Sequence, residues 1–240
     1  MKWGDYMSKG TLKKKRAEII VIIICSILIA IIFVMLIAFN KNKDFVYNKH
    51  LNETVITIDD ENITLKDFSY YVYIVEKQIN DMAIKYNPDD PNDFWNTHFK
   101  NSLDSVFTRD YAKQLAKDLC EYDYIMEKET AVHNIYVTES EKESLRSDAK
   151  DTYDDFSQKA KDNTKLSEDD IYNILCRRKL VEKYATRAAS QVRKDGFEGD
   201  SASLLDYDGD YYKEIIKAKY NVTENDKILD KITMGRVTVN

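Results

Sequence analysis

The sequence predicts a mainly α protein, with a single N-terminal transmembrane helix followed by a helical domain that contains one or two short strands. Three observations lead to this prediction. An uninterrupted apolar run covers residues 19–40, the chain has only six glycines and two prolines in 240 residues, and apolar residues later in the chain recur at helical spacing. Strand-rich folds need many turns, and turns use glycine and proline, so this composition favours helices.

The apolar run comes directly after a basic cluster at residues 13–16. Crossing a bilayer core takes roughly 20 apolar residues of helix, and Lys and Arg favour the cytoplasmic side. We therefore expect a cytoplasmic basic segment over residues 1–18 and a single-pass helix over 19–40 that contacts the lipid bilayer of the plasma membrane. Everything after Asn40 would then lie outside the cell. A cleaved signal peptide is the alternative, but Leu28 and Leu36 occupy positions where its cleavage site needs small residues.

Charge is divided unevenly along the chain. Residues 1–40 hold six basic and two acidic side chains, a formal charge of +4, whereas the whole chain carries −6, so residues 41–240 carry −10. Nucleic-acid binding proteins concentrate basic charge on one face. An acidic domain therefore argues against a nucleic-acid partner.

After a short polar stalk at residues 41–53, the rest of the chain (54–240) is long enough for one domain with its own core. Residues 54–59 alternate apolar and polar with β-branched side chains, which predicts a short strand. Apolar residues spaced alternately three and four apart predict a helix over 65–86. Thr64 and Asp67 form a capping-box pattern at its start, and Pro88 ends it.

Further helices are predicted along the rest of the domain. One begins near Asp93, breaks around residues 101–102 and continues to about His133. Two more begin after capping boxes at Thr138 and Ser167. Short helices are predicted at 211–220 and 227–231, and the alternating residues 236–240 predict a strand that pairs antiparallel with residues 55–58 and closes the domain.

The order of these elements resembles the N-terminal chaperone domain of SurA/PrsA-type foldases and their trigger-factor-like relatives. In that family a strand and turn lead into a long helix, and a later step joins two helices. The first pattern is matched by Val55, Ile63, Thr64 and Phe68, and the second by Ala131, Ile135, Val137, Thr138 and Glu141. The resemblance covers roughly residues 54–195 and implies an extracytoplasmic, bacterial protein that binds unfolded or newly secreted polypeptides.

Two departures from the family pattern bear on activity. Asp60 and Glu61 stand where the family has a glycine after the first strand. The parvulin isomerase domain that the family often carries has no counterpart, because His50, His98 and His133 lie upstream of where it would begin. These departures argue against isomerase activity.

Aromatic residues are the best candidates for a binding surface. Tyr and Trp offer large contact areas with few torsions to immobilise, which suits a surface that holds unfolded chains, although core packing is the competing interpretation. The candidates flank the apolar stripe of the first long helix or follow the proline turn: Tyr70, Tyr71, Tyr73, Phe94, Trp95 and Phe99.

Other kinds of site are not indicated by the sequence. A calcium loop counted from Asp206 fails, since Tyr211 stands where glycine is required and Lys217 where glutamate is required. Cys120 and Cys176 lack the spacing of a zinc site and are expected to be free thiols. We predict no catalytic residue, no metal and no cofactor.

Three functions follow from these observations. The first is a chaperone-like protein that holds unfolded polypeptides without covalent chemistry. The second is a structural or adaptor domain that docks one specific membrane protein partner. A peptidyl-prolyl isomerase is the weakest of the three.

Overall fold

The structure is a computed structural model and describes residues 26–32, 45–101 and 104–239. The chain divides into two compact units, Met1–Phe45 and Val46–Asn240. In the first unit the described segment is a helix over residues 26–32, α1. The second unit contains the other helices and strands described below.

The structure contradicts the predicted transmembrane helix over residues 19–40. None of the helices in the described ranges combines the length and the apolar character that crossing a bilayer requires. Apart from residues 26–32, the run 19–40 and the basic segment 1–18 lie outside the described residues. The predicted single-pass anchoring in a plasma membrane depended on this helix, and the finding on the described helices contradicts it.

The second unit is mainly helical. Its α-helices are α2 (Leu65–Tyr86), α3 (Thr108–Val132), α4 (Glu139–Asp154), α5 (Gln158–Thr164), α6 (Glu168–Lys194), α7 (Ser201–Leu205) and α8 (Asp226–Leu229). Shorter turns of other helix types cover Tyr47–Lys49, Pro91–Asn96, Tyr212–Ile216 and Lys217–Lys219.

Capping boxes open the three helices for which the sequence predicts them. Thr64 accepts a hydrogen bond from the Asp67 amide at the start of α2, and the Asp67 carboxylate accepts the Thr64 amide in return. Thr138 opens α4 and Ser167 opens α6 in the same way. These reciprocal bonds satisfy amides that have no partner within the helix, which is why a local sequence pattern locates the helix starts.

The packed core lies between α2, α3 and α6, with α4 against α6. The apolar stripe of α2 is buried as far as Ile79 and Ala83, whereas Met82 and Tyr86 on its last turns are exposed. Helix α2 therefore carries an apolar surface beyond the core.

A three-stranded antiparallel sheet closes one side of the domain. Its strands are β1 (Thr54–Ile58), β2 (Glu61–Thr64) and β5 (Val222–Glu224), in the order β2-β1-β5. The predicted pairing of residues 236–240 with 55–58 is wrong, because β5 occupies that edge of β1, with Thr57 opposite Thr223.

The predicted helix near Asp93 is also wrong over its first part. After the turn Pro91–Asn96 the chain forms a hairpin of β3 (His98–Asn101) and β4 (Asp104–Phe107), and α3 begins at Thr108. The Thr97 hydroxyl donates to the Phe94 carbonyl, which ends the turn, and the Thr108 amide donates to the Thr97 carbonyl, which closes the base of the hairpin.

Candidate functional site

A buried carboxylate on α2 fixes the C-terminal part of the chain. Glu76 is completely buried, and the five consecutive amides of residues 235–239 all donate to it. Oε1 accepts from Gly235 (2.6 Å), Arg236 (3.2 Å) and Val237 (3.2 Å), and Oε2 accepts from the amides of Thr238 (2.6 Å) and Val239 (3.3 Å) and from the Thr238 hydroxyl (2.5 Å). We call residues 235–239 the C-terminal clasp.

The clasp shows why the predicted C-terminal strand does not form. In a strand, successive amides point in opposite directions, so five in a row cannot reach one carboxylate. A curled backbone can point them all inward, which makes an anion-binding concavity. The hydrogen bonds to the Glu76 carboxylate therefore fix the conformation of this segment.

Side chains of α5 and of Ser157, which precedes it, donate hydrogen bonds to the carbonyl groups of the clasp. The Asn163 amide donates to the Val237 carbonyl (2.7 Å), the Ser157 hydroxyl to that of Thr238 (2.9 Å) and the Lys159 ammonium to that of Val239 (2.6 Å). The clasp thus joins α2 to α5 at residues that are distant in sequence.

Gly235 is required at the start of the clasp for two reasons. Its φ of +82° lies in the region that favours glycine. A Cβ at this position would lie 2.4 Å from Cδ2 of Trp95, whose ring is buried beneath it. The Trp95 ring therefore packs against the start of the clasp.

An open cleft of about 450 Å³ runs between α2 and the clasp. We call it the α2 cleft. One wall is a face of α2, and the other is the α4–α5 connection and the end of the clasp. Its lining residues are Tyr73, Lys77, Asn80, Asp81, Ile84, Pro91, Asn92, Asp155, Ser157, Thr238 and Val239.

The α2 cleft continues along the helix beyond Lys77. A second depression of about 370 Å³ shares Tyr73, Lys77, Asp81 and Asp155 with it and reaches Tyr70. The two form one channel along α2, interrupted where side chains from opposite walls meet.

The interruption is an ion pair across the channel. The Lys77 ammonium lies 3.1 Å from Oδ2 of Asp155, and both side chains are at least half exposed. The hydrogen bond to Asp155 raises the pKa of Lys77, and burial raises the pKa of Tyr73, so at neutral pH the lysine is charged and the phenol is neutral. Exposed ion pairs contribute about 0–1 kcal/mol, so little free energy opposes its opening.

Two of the predicted aromatic residues line this channel. Tyr70 and Tyr73 are buried, with 3% and 6% of their surface exposed, and both contribute to the lining of the channel. The Tyr73 ring also packs on Phe156, with centroids 4.1 Å apart. Sequence periodicity places both on α2 but gives no information on which residues form the opposite wall.

The other predicted aromatic residues lie elsewhere. Tyr71 is completely buried in the core, and Trp95 is buried under Gly235. Phe94 is half-buried against Tyr86, with ring centroids 5.3 Å apart. Phe99 belongs to β3, and its side chain is outside the described part of the structure.

Sequence reasoning missed Glu76, although a signal was present. Val72, Glu76 and Ile79 share one face of α2, since residues three and four apart are neighbours on a helix. A carboxylate on an otherwise apolar stripe needs buried partners. That requirement predicts a nearby cluster of donors, but it does not predict that the donors are the amides of 235–239.

A separate network around the buried Asp123 joins α2, α3 and α6. The Tyr71 hydroxyl donates to Asp123 at 3.1 Å, and Nε of Arg178 lies 3.5 Å from the same carboxylate oxygen. Burial raises the pKa of Asp123 to about 6, although Arg178 and Tyr71 both lower it. Arg177 packs 3.7 Å above the Tyr124 ring.

The raised pKa of Asp123 makes part of the stability pH-dependent. Because the folded pKa lies above the unfolded one, this carboxyl contributes stability that is fully present below about pH 4 and is lost as the pH rises through about 6. The network lies inside the helix packing and does not line the channel, so we interpret it as structural.

Cys120 and Cys176 are free thiols, and burial raises the pKa of Cys120 well above its usual value. Within the described ranges no group of three His, Cys, Asp or Glu side chains is placed to hold a metal ion.

Comparison with known proteins adds no relative: no family model, no curated protein and no solved structure matches the chain. The resemblance to SurA/PrsA-type foldases therefore rests on the order of its sequence motifs, and the function has to be argued from the channel itself.

Proposed function

We propose that this protein is a chaperone-like polypeptide-binding protein that holds segments of unfolded chains along the α2 cleft. The observation that carries the proposal is an open channel along one long helix that contains an exposed apolar side chain. Ile84 lines the cleft and is 46% exposed.

The lining of the channel suits polypeptide more than a small molecule. Ile84 offers apolar contact, whereas Asn80 and Asp81 on the same helix face offer hydrogen-bonding groups. Small-molecule sites are enclosed and mostly apolar, while an unfolded chain presents both apolar side chains and unpaired backbone groups.

Acidic charge is compatible with this role. Residues 41–240 carry a formal −10, and a net charge far from zero keeps a protein soluble. A complex with an aggregation-prone chain would benefit from the same repulsion.

The test is the affinity of the full chain for a permanently unfolded, carbamidomethylated protein, measured by fluorescence anisotropy. Ile84→Ser removes the apolar side chain from the cleft without adding a charge and should weaken binding about tenfold, or 1.4 kcal/mol. Ile215→Ser is the matched control, because Ile215 is 38% exposed and lies outside the cleft, and it should bind within twofold of the unchanged chain.

Two outcomes would contradict the proposal. One is that the unchanged chain binds neither of two unrelated unfolded proteins and does not suppress their aggregation. The other is that Ile84→Ser and Ile215→Ser bind equally well. Binding to one of the unfolded proteins and not the other would favour the adaptor function.

A further inference from the structure

We infer that the α2 cleft selects segments in which a basic side chain accompanies an apolar one, and that the basic group binds Asp155 in place of Lys77. The inference rests on the proposed function and names the class of polypeptide that the site takes. It comes from the charges of the channel and from the position of the ion pair that interrupts it.

The charged lining of the channel is acidic on balance. Among the described residues, those that line its two parts include one cation, Lys77, and two carboxylates, Asp81 and Asp155. Both carboxylates line both parts of the channel, so a segment lying along α2 passes them. A cation in that segment gains favourable electrostatic energy, and an anion is disfavoured.

Lys77 can release Asp155 without losing a carboxylate partner. Asp81 lies four residues further along α2, and side chains at i and i+4 are neighbours on a helix. When an incoming ammonium or guanidinium group binds Asp155, Lys77 can move to Asp81. The number of ion pairs stays the same or increases, and the two parts of the channel join.

The apolar part of the preference comes from the channel wall. Tyr73 lies beside the ion pair, with its ring centroid 5.9 Å from the Lys77 ammonium, and Ile84 lies two helical turns further along. A basic side chain held at Asp155 therefore places a neighbouring apolar residue of the bound segment near Ile84.

The experiment uses two fluorescent peptides that differ at one position. Both carry leucine residues around a central residue, which is arginine in one and citrulline, its neutral isostere, in the other. We expect the full chain to bind the arginine peptide at least fivefold more tightly at low salt. The difference should shrink below twofold in 0.5 M NaCl, because exposed charges are screened.

Variants assign the preference to the ion pair. Asp155→Asn should abolish the preference for arginine, whereas Asp151→Asn, which makes the same charge change at an exposed residue outside the channel, should keep it. Lys77→Ala removes the internal competitor and should tighten binding of the arginine peptide at least threefold, with the citrulline peptide unchanged. If the ion pair only stabilised the fold, Asp155→Asn and Lys77→Ala would not change the binding of the arginine peptide in opposite directions.

The outcomes separate this inference from the proposed function. Equal binding of both peptides, or equal loss of preference in Asp155→Asn and Asp151→Asn, would overturn the inference while leaving polypeptide binding intact. A failure of the chain to bind either peptide or any unfolded protein would overturn both.

Discussion

The strongest prediction concerns Glu76, whose carboxylate holds the C-terminal clasp. Glu76→Gln preserves the shape of the side chain but replaces one acceptor oxygen with an NH₂ donor. Three donors bind each carboxylate oxygen. An NH₂ group at the Oε1 position would face three amide donors, and one at the Oε2 position would face two, because the Thr238 hydroxyl can turn to accept.

The magnitude follows from those lost bonds. Each buried donor left without a partner costs about 1–3 kcal/mol. Release of the clasp to water limits the total, so we expect the free energy of unfolding to fall by about 4 kcal/mol. Small domains unfold with a free energy of about 5–15 kcal/mol, so this is a large part of the stability. For a domain of this size the melting temperature should fall by about 8–16 °C.

Thermal and urea unfolding followed by circular dichroism at 222 nm would measure the loss. Glu143→Gln on the exposed surface of α4 makes the same chemical change and should stay within about 0.5 kcal/mol of the unchanged chain. Glu76→Gln should also shift the emission of Trp95 to longer wavelength, because release of the clasp uncovers this ring. A stability within about 1 kcal/mol of the Glu143→Gln control would refute the assigned role of Glu76.

Three further predictions test the packing. Gly235→Ala should destabilise the chain by more than 2 kcal/mol, since it adds a clash with the Trp95 ring to the backbone strain. Gly196 has a similar φ but open space around it, so Gly196→Ala should cost only about 1 kcal/mol. Equal losses of stability in urea unfolding would contradict the clash. The free energy of unfolding of the unchanged chain should fall by about 3 kcal/mol as the pH rises from 4 to 6, and Asp123→Asn should abolish this fall. Parallel curves of unfolding free energy against pH for the two proteins would show that Asp123 does not titrate in this range. Thr64→Ala removes the cap of α2 and should cost about 1 kcal/mol, and an unchanged melting temperature would mean that the capping box does not contribute.

Local chemistry explains where sequence reasoning succeeded. The capping boxes at Thr64, Thr138 and Ser167 involve residues three apart, so the sequence contains both partners of each interaction. The end of α2 before Pro88 is equally local, because proline lacks the amide that would continue the helix. These features could be predicted without knowledge of the rest of the chain.

The wrong predictions share a different cause. Hydropathy alone predicted a membrane helix over residues 19–40, which the described part of the structure does not contain. Alternation in residues 236–240 was compatible with a strand, but a period of two identifies no partner. The hairpin after the Pro91–Asn96 turn depends on the bond between Thr97 and Thr108, which the helical pattern did not reveal.

By itself, therefore, the sequence determined the mainly helical class, the starts of the capped helices and the position of two tyrosines on α2. Tertiary structure alone decided which of the aromatic residues face the channel, and it decided the conformation of the clasp. The reason is that Glu76 and the amides it binds are 159 or more residues apart in sequence. A buried carboxylate needs hydrogen-bond donors, and tertiary packing rather than the local sequence determines which donors lie next to it.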